Sequence, residues 1–461
     1  MPMQHQNARH RSYLHTPRHR FHLTLLPLAA LYLSTALTAY SEAQLNPNLM
    51  KYACGPANRM FATLSPASRF TDSTAGFDLV ASPTVNGKAC TSDKPFFFSV
   101  PIPEGSYRIT VVLGGPQASV TTVRAEGRRL MLEKIATQPG ASVTLSFDTN
   151  VRYPEIQGQP SGNPTTQVKL KPRELGILNW DHKLTLEFNG DHPSVRSIDI
   201  EPIGIKTDEP VIYLAGDSTV VDQYYEPWAA WGQMFPRFFV PGIVIANHAE
   251  SGETTKSFVG EYRLAKIMTT MKPGDYLFIQ FAHNDMKPGA VLLNEYKNLL
   301  TDYIAQTRAK GATPVLVTSM NRRTFDDAGK ITNSLGPYPD AMREVAARQK
   351  VTLIDLNAMS KTLFDAMGSE GTLKAFMHYP ADSFPGQTVA INDDTHFNSY
   401  GAYELARCIV HGIREANLPL AKFLDPKVPD FNPAHPDPQS DFHLPFTPIL
   451  HPGDPTKVGQ T

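Results

Sequence analysis

The chain has 461 residues, 41% of them hydrophobic, and its 43 basic and 44 acidic residues leave a formal net charge of -1. That length accommodates two or three domains, each with its own core. The balanced charge argues against nucleic acid as a partner, because a phosphate backbone calls for a basic stripe.

Arg9, Arg11, Arg18 and Arg20 form a basic start. An apolar stretch follows from Phe21 to Ala39, then Ser41-Glu42-Ala43 with small residues at the cleavage positions. This order is that of an export signal over residues 1–43, which implies a secreted or periplasmic protein with no membrane attachment after cleavage. The competing reading is an uncleaved anchor, since the apolar stretch approaches the ~20 residues of a span. Of the cysteines, Cys54 and Cys90 either pair in an oxidising compartment or stay, like Cys408, as thiols. No Cys/His spacing suggests zinc.

From 44 to 205 the pattern is β. Tyr107, Ile109, Val111 and Leu113 alternate with Arg108, Thr110 and Val112, and the same period recurs at Val143, Leu145 and Phe147 and at Leu184, Leu186 and Phe188. Such runs, broken by Gly, Pro and Asn turns, predict a β-sandwich. From 210 to 424 short apolar strands alternate with helical segments. The strands are Val211–Ala215, Val244–Asn247, Tyr276–Phe281, Pro314–Thr318 and Thr352–Asp355. The helices are Trp228–Phe235, Thr255–Met271, Glu295–Lys310 and Pro339–Gln349. This alternation predicts an α/β domain with a parallel five-stranded sheet flanked by helices, whose chemistry collects at the carboxyl ends of the strands. Residues 425–461 are rich in proline, which excludes a helix. Phe431, Phe442, Leu444 and Phe446 suit a strap across the folded body up to about Leu450.

Gly216-Asp217-Ser218 ends the first of these strands. Ser251-Gly252 and His283-Asn284-Asp285 follow the second and third, and Asp393-Asp394-Thr395-His396 lies near the C-terminal end. A serine after a strand, with a later histidine and an acid, is what covalent ester hydrolysis needs. The hydroxyl becomes a nucleophile when a base takes its proton, and the base works when an acid holds its tautomer. Ser218 is the candidate nucleophile and His396 the candidate base. Asp393, three residues earlier, is the candidate acid, and Asp394 competes with it. The oxyanion needs donors set in advance. The candidates are the backbone N–H groups of Ser218 and Gly252 and the side-chain amide of Asn284. Each residue also has an ordinary structural use: Ser218 as a helix N-cap, Asp394 as the cap of a helix starting near Ser399, Gly252 and Asn284 as turn residues. The covalent route needs no cofactor.

These ordered blocks resemble the SGNH (GDSL-type) hydrolase family, named for Ser, Gly, Asn and His in four blocks. The resemblance spans roughly 211–418. It implies a flavodoxin-like sheet and places the four family residues on Ser218, Gly252, Asn284 and His396, with Asp393 as the acid. Gly216-Asp217-Ser218-Thr219, His248-Ala249-Glu250-Ser251-Gly252-Glu253-Thr254, Phe281-Ala282-His283-Asn284-Asp285 and Asp394-Thr395-His396-Phe397-Asn398 are similar to the rhamnogalacturonan acetylesterase branch. Ala282 stands where the third block usually has glycine. Glu253 stands where other members often carry arginine, which would alter the charge of the pocket. The branch implies removal of acetyl groups from pectic rhamnogalacturonan, and a monomer is expected.

Export fits a polymeric substrate. Arg322 and Arg323, after the fourth strand, suit the carboxylates of galacturonate, with a solvated loop pair as the alternative. Tyr224, Tyr225 and Trp228 suggest a sugar-stacking wall, with core burial the stronger reading for Trp228. His378 and Tyr379 fall in a long segment before Asp393 that suggests a lid. The β region resembles galactose-binding-like jelly-roll modules by pattern alone, and Trp180, just before a strand, is expected in its core. Two other functions stay open: an esterase of the same fold acting on acetylated xylan or another acyl ester, and a carbohydrate-binding protein with an inactive hydrolase domain.

Overall fold

The computed structural model describes residues 50–56, 60–156, 167–204, 209–384 and 387–448. The expected export signal and the end of the proline-rich tail lie outside these residues. All of the described residues fall in one compact unit, Pro47–Thr461.

Its N-terminal part holds two β-sheets. One is built on Val143–Val151, Gly105–Leu113, Ser194–Pro202 and Lys51–Cys54. The other runs Gly76–Asp78, Phe96–Pro101, Lys183–Asp191, Ser119–Ala125 and Arg129–Thr137. Ile109, Val111, Ile198 and Ile200 of the first sheet share a core with Phe96, Phe98, Val123, Leu186 and Phe188 of the second. The alternating residues therefore point where period two places them, inward on each sheet. Cys54 and Cys90 are disulfide-bonded within the first sheet, with Cα atoms 5.5 Å apart, and Cys408 is a buried thiol.

The second part is a five-stranded parallel sheet in the spatial order Val244–Asn247, Val211–Gly216, Tyr276–Gln280, Thr313–Val317 and Thr352–Ile354. Its strands are mostly apolar, with polar residues such as Asn247, Gln280, Thr313 and Thr352 at their ends, because helices cover both faces, so two separate cores flank the sheet. Leu293–Ala309 and Tyr338–Gln349 form close to the expected helices.

Three expectations change. The helix expected over Trp228–Phe235 spans Trp231–Met234 and tightens into a 3-10 turn at Phe235–Phe238. Pro236 has no N–H to continue the α-helix, and Trp228–Ala230 is held extended by the Ala229 N–H donating to the Phe397 carbonyl at 2.8 Å. The helix expected over Thr255–Met271 is two, Thr255–Gly260 and Arg263–Thr270, broken at Tyr262 with φ 64°. At the break the Lys169 N–H takes the Glu261 carbonyl at 3.0 Å. The segment expected to be a lid is instead a helix, Leu356–Leu373, followed by the antiparallel pair Phe376–Tyr379 and Ile391–Phe397. Leu363 and Phe364 of that helix are fully buried, so it is core rather than cover.

The β region is fastened to the α/β part by two buried ion pairs, Arg129 to Asp222 at 2.6 Å and Arg263 to Glu174 at 2.5 Å, and by a partly buried one, Lys266 to Glu104 at 2.7 Å. The tail runs back over the body as a strap. Phe431 packs under the Arg407 guanidinium at 4.3 Å, and Arg124 holds the Pro445 carbonyl at 2.6 Å and the Thr447 hydroxyl at 3.1 Å.

Candidate active site

Ser218 sits at the tip of a tight turn after the first strand of the sheet. The Asp217 carbonyl accepts the N–H groups of Val220 at 3.0 Å and Val221 at 3.1 Å, and its side chain accepts the Thr219 N–H at 2.9 Å. Gly216 allows this approach: a Cβ there would lie 2.5 Å from Cγ2 of Val220. The next helix begins only at Trp231, so Ser218 caps nothing. Its hydroxyl donates to Nε2 of His396 at 2.8 Å, and Nδ1–H of His396 donates to Asp393 at 2.7 Å. A carboxylate facing Nδ1 keeps the proton there, which leaves Nε2 free to accept.

His396 reaches Ser218 through a bulge. Phe376 pairs with Phe397, but the next residue, Met377, pairs with Asp393. Residues 394–396 are thus extra on their strand and swing out. Asp393 closes the bulge by accepting the N–H groups of Thr395 at 2.7 Å and His396 at 3.0 Å. Burial alone would raise the Asp393 pKa, but the bonds and charge of His396 and the two backbone donors outweigh it and bring it down to about 2. Asp394 points elsewhere, to His378 at 2.9 Å and Arg323 at 3.3 Å. The cap of the Ser399–Glu415 helix is Asn398, not Asp394.

Ser218, Gly252 and Asn284 line one cavity of about 720 Å³ together with Asp393 and His396. Gly252 has φ 79°, a conformation that suits glycine. The Asn284 amide donates one hydrogen to the Glu253 carbonyl at 3.0 Å, which orients the other. Beneath it, Asp285 accepts the N–H and hydroxyl of Thr255 at 2.8 and 2.6 Å, and burial pushes its pKa up to about 7. His283 is buried and held well below the ordinary histidine range, first by burial and then by the Arg322 charge.

The model of the GDSL-like lipase/acylhydrolase family matches residues 214–403. Rhamnogalacturonan acetylesterase RhgT of Bacillus subtilis (strain 168) is 44% identical over 216 residues, which is 46% of this chain and 93% of that protein. The chain belongs to the GDSL-like lipase/acylhydrolase family. It is a carboxylic ester hydrolase. The uncharacterized esterase YxiM of the same organism is 28% identical over 327 residues, or 70% of this chain and 75% of that protein. The crystal structure of YxiM matches with a TM-score of 0.44 at 24% identity, over 80% of this chain and 99% of that one.

The other residues expected at this GDSL-like site divide. Arg322 lines the cavity and is anchored on the His283 carbonyl at 3.1 Å. Arg323 does not line it; its guanidinium reaches Asp394 at 3.3 Å and Thr372 at 3.1 Å. His378 and Tyr379 are also off the cavity, on the Phe376–Tyr379 strand, and Tyr379 accepts from Asn398 at 3.1 Å. The Glu253 side chain turns away, toward Lys171 and Arg263, so it does not set the charge of the cavity. Trp228 is 4% exposed yet forms part of the cavity wall. Tyr224 and Tyr225 line a small neighbouring hollow rather than the cavity itself. Trp180 is buried as expected, but under the Arg152 guanidinium at 4.5 Å and edge-on to His248 of the α/β part. Sequence reasoning missed Arg173 and Lys287, both on the cavity. Arg173 belongs to the β region, and nothing in its local sequence marks it.

Proposed function

We propose that this chain is a secreted serine esterase that removes acetyl groups from pectic rhamnogalacturonan through an acetyl-enzyme. The observation that carries the mechanism is the continuous hydrogen-bonded row Ser218–His396–Asp393 at 2.8 and 2.7 Å. His396 takes the Ser218 proton as Oγ attacks the acetyl carbonyl. The oxyanion is received by the N–H groups of Ser218 and Gly252 and the Asn284 amide. The sugar oxygen leaves with the proton from His396. Water, activated by the same base, then releases acetate and restores the hydroxyl.

The substrate class is supported by the likeness to rhamnogalacturonan acetylesterase RhgT. The cations Arg173, Lys287 and Arg322 on the cavity suit a chain that carries uronate carboxylates. We read residues 1–43 as an export signal and 210–424 as the catalytic domain. Residues 44–205 we read as a galactose-binding-like jelly roll and 425–461 as a tail. The test is acetate release from acetylated rhamnogalacturonan, homogalacturonan and xylan side by side. Preference for rhamnogalacturonan is expected; preference for xylan would keep the mechanism and overturn the substrate.

A further inference from the structure

The Ser251–Gly252 peptide has its carbonyl at one end and the proposed oxyanion N–H at the other. In a trans peptide these two groups lie in one plane and point in opposite directions. Whatever holds the Ser251 oxygen therefore aims the Gly252 N–H. The holders are not in the α/β part. The Lys171 ammonium donates to the Ser251 carbonyl at 2.8 Å, and the Arg173 guanidinium donates to the same oxygen. Both lie in the β region, in and beside the short 3-10 turn Pro172–Glu174.

We infer that the β region is a working part of the esterase site, with Lys171 and Arg173 acting as positioning residues for the Gly252 oxyanion donor. Both cations are themselves fixed. Nε of Arg173 donates to Glu250 at 2.8 Å, and Lys171 pairs with Glu253, so the two acids that flank Ser251-Gly252 grip the same clamp. Glu253 is tied in turn to the Ser257 hydroxyl at 2.6 Å, and its carbonyl orients Asn284. The turn is anchored from behind: Glu174 accepts the Lys171 N–H at 2.8 Å and pairs with Arg263 at 2.5 Å. Two cationic donors on one carbonyl also polarise the peptide, which makes its N–H a stronger donor to a developing oxyanion. Arg173 has a second face, because it lines the cavity; Lys171 does not, so its effect is through the Ser251–Glu253 segment and not through contact with the ester.

The inference rests on the serine esterase reading, and the experiment separates the two. Turnover of a small neutral acetyl ester, 4-nitrophenyl acetate, is measured for the full chain, Lys171→Met, Lys171→Arg and the double variant Lys171→Met/Arg173→Met. Lys169→Met is the control: its ammonium holds the Gly260 carbonyl at 3.1 Å, on the same segment but away from Ser251. Thermal midpoints verify folding. The expected result for Lys171→Met is a kcat lowered between about 10- and 100-fold with KM within about twofold. The double variant falls further, Lys171→Arg recovers most of the rate, and Lys169→Met stays at the level of the unmodified chain. A folded Lys171→Met protein with unchanged kcat overturns the inference, and so does an equal loss in Lys169→Met, which would mean general loosening of the β region. If the double variant fails to fold, Lys171→Met and its arginine counterpart carry the same comparison. An unmodified chain that releases no acetate overturns the esterase reading instead.

Discussion

The two sides of the catalytic cavity are held by different means. On the nucleophile side, Ser218 and the Asp393–His396 bulge are shaped by bonds between residues two to four positions apart, such as Asp217 to Thr219 and Asp393 to His396. On the proposed oxyanion side, the peptide of Gly252 is gripped by Lys171 and Arg173, about eighty residues earlier in the chain. The first side is locally coded and carries its own geometry. The second depends on how a separate β region docks. Damage to the nucleophile side should therefore remove chemistry outright, whereas damage to the oxyanion side should grade it.

The largest effect is expected from Ser218→Ala or His396→Ala. Each should lower kcat on an acetyl ester by on the order of 10⁶-fold, and a serine-directed phosphonate should label the unmodified chain but not Ser218→Ala. Asp393→Asn comes next, at on the order of 10⁴-fold, because the imidazole loses the group that holds its tautomer. Asp394→Asn is the matched partner and should stay within about threefold, since Asp394 bonds His378 and Arg323 instead. Equal losses in the two would break the assignment of the acid. Asn284→Ala should cost about 10²–10³-fold in kcat. A full rate in this variant would take Asn284 out of the oxyanion site.

A final prediction concerns stability rather than rate. Burial raises the Asp285 pKa from 3.8 to about 7. The folded state thus holds a proton that the unfolded chain releases. Stability from this group is complete below about pH 4 and declines as pH rises through 7. Asp285→Asn should flatten that decline by on the order of a few kcal/mol, read as urea midpoints between pH 4 and 8. An unchanged pH profile would mean that Asp285 is ionised in the folded protein.

Much of this was legible in the chain itself. Apolar runs such as Val211–Ala215 and Tyr276–Ile279 marked strands buried on both faces, and alternation at Tyr107, Ile109 and Val111 marked strands buried on one. Ser218, Gly252, Asn284, Asp393 and His396 were legible as candidates because each stands in a short block, the first three just beyond strands of the parallel sheet. The rest was hidden for identifiable reasons. The break at Tyr262 follows from a carbonyl taken by Lys169 of the other region, which no helical periodicity encodes. The Leu356–Leu373 helix carries Gly368 at φ 70°, which interrupts its pattern. Arg173 and Lys171 look like surface charges until the two regions meet.

Local sequence alone thus determined the strand and helix alternation, the nucleophile turn and the histidine with its acid. Those depend on periodicity and on bonds between near neighbours. Only the tertiary structure decided which arginine faces the cavity and what holds the Gly252 N–H. Each of those is a choice among chemically equal candidates, and it is made by where a distant segment brings its charge.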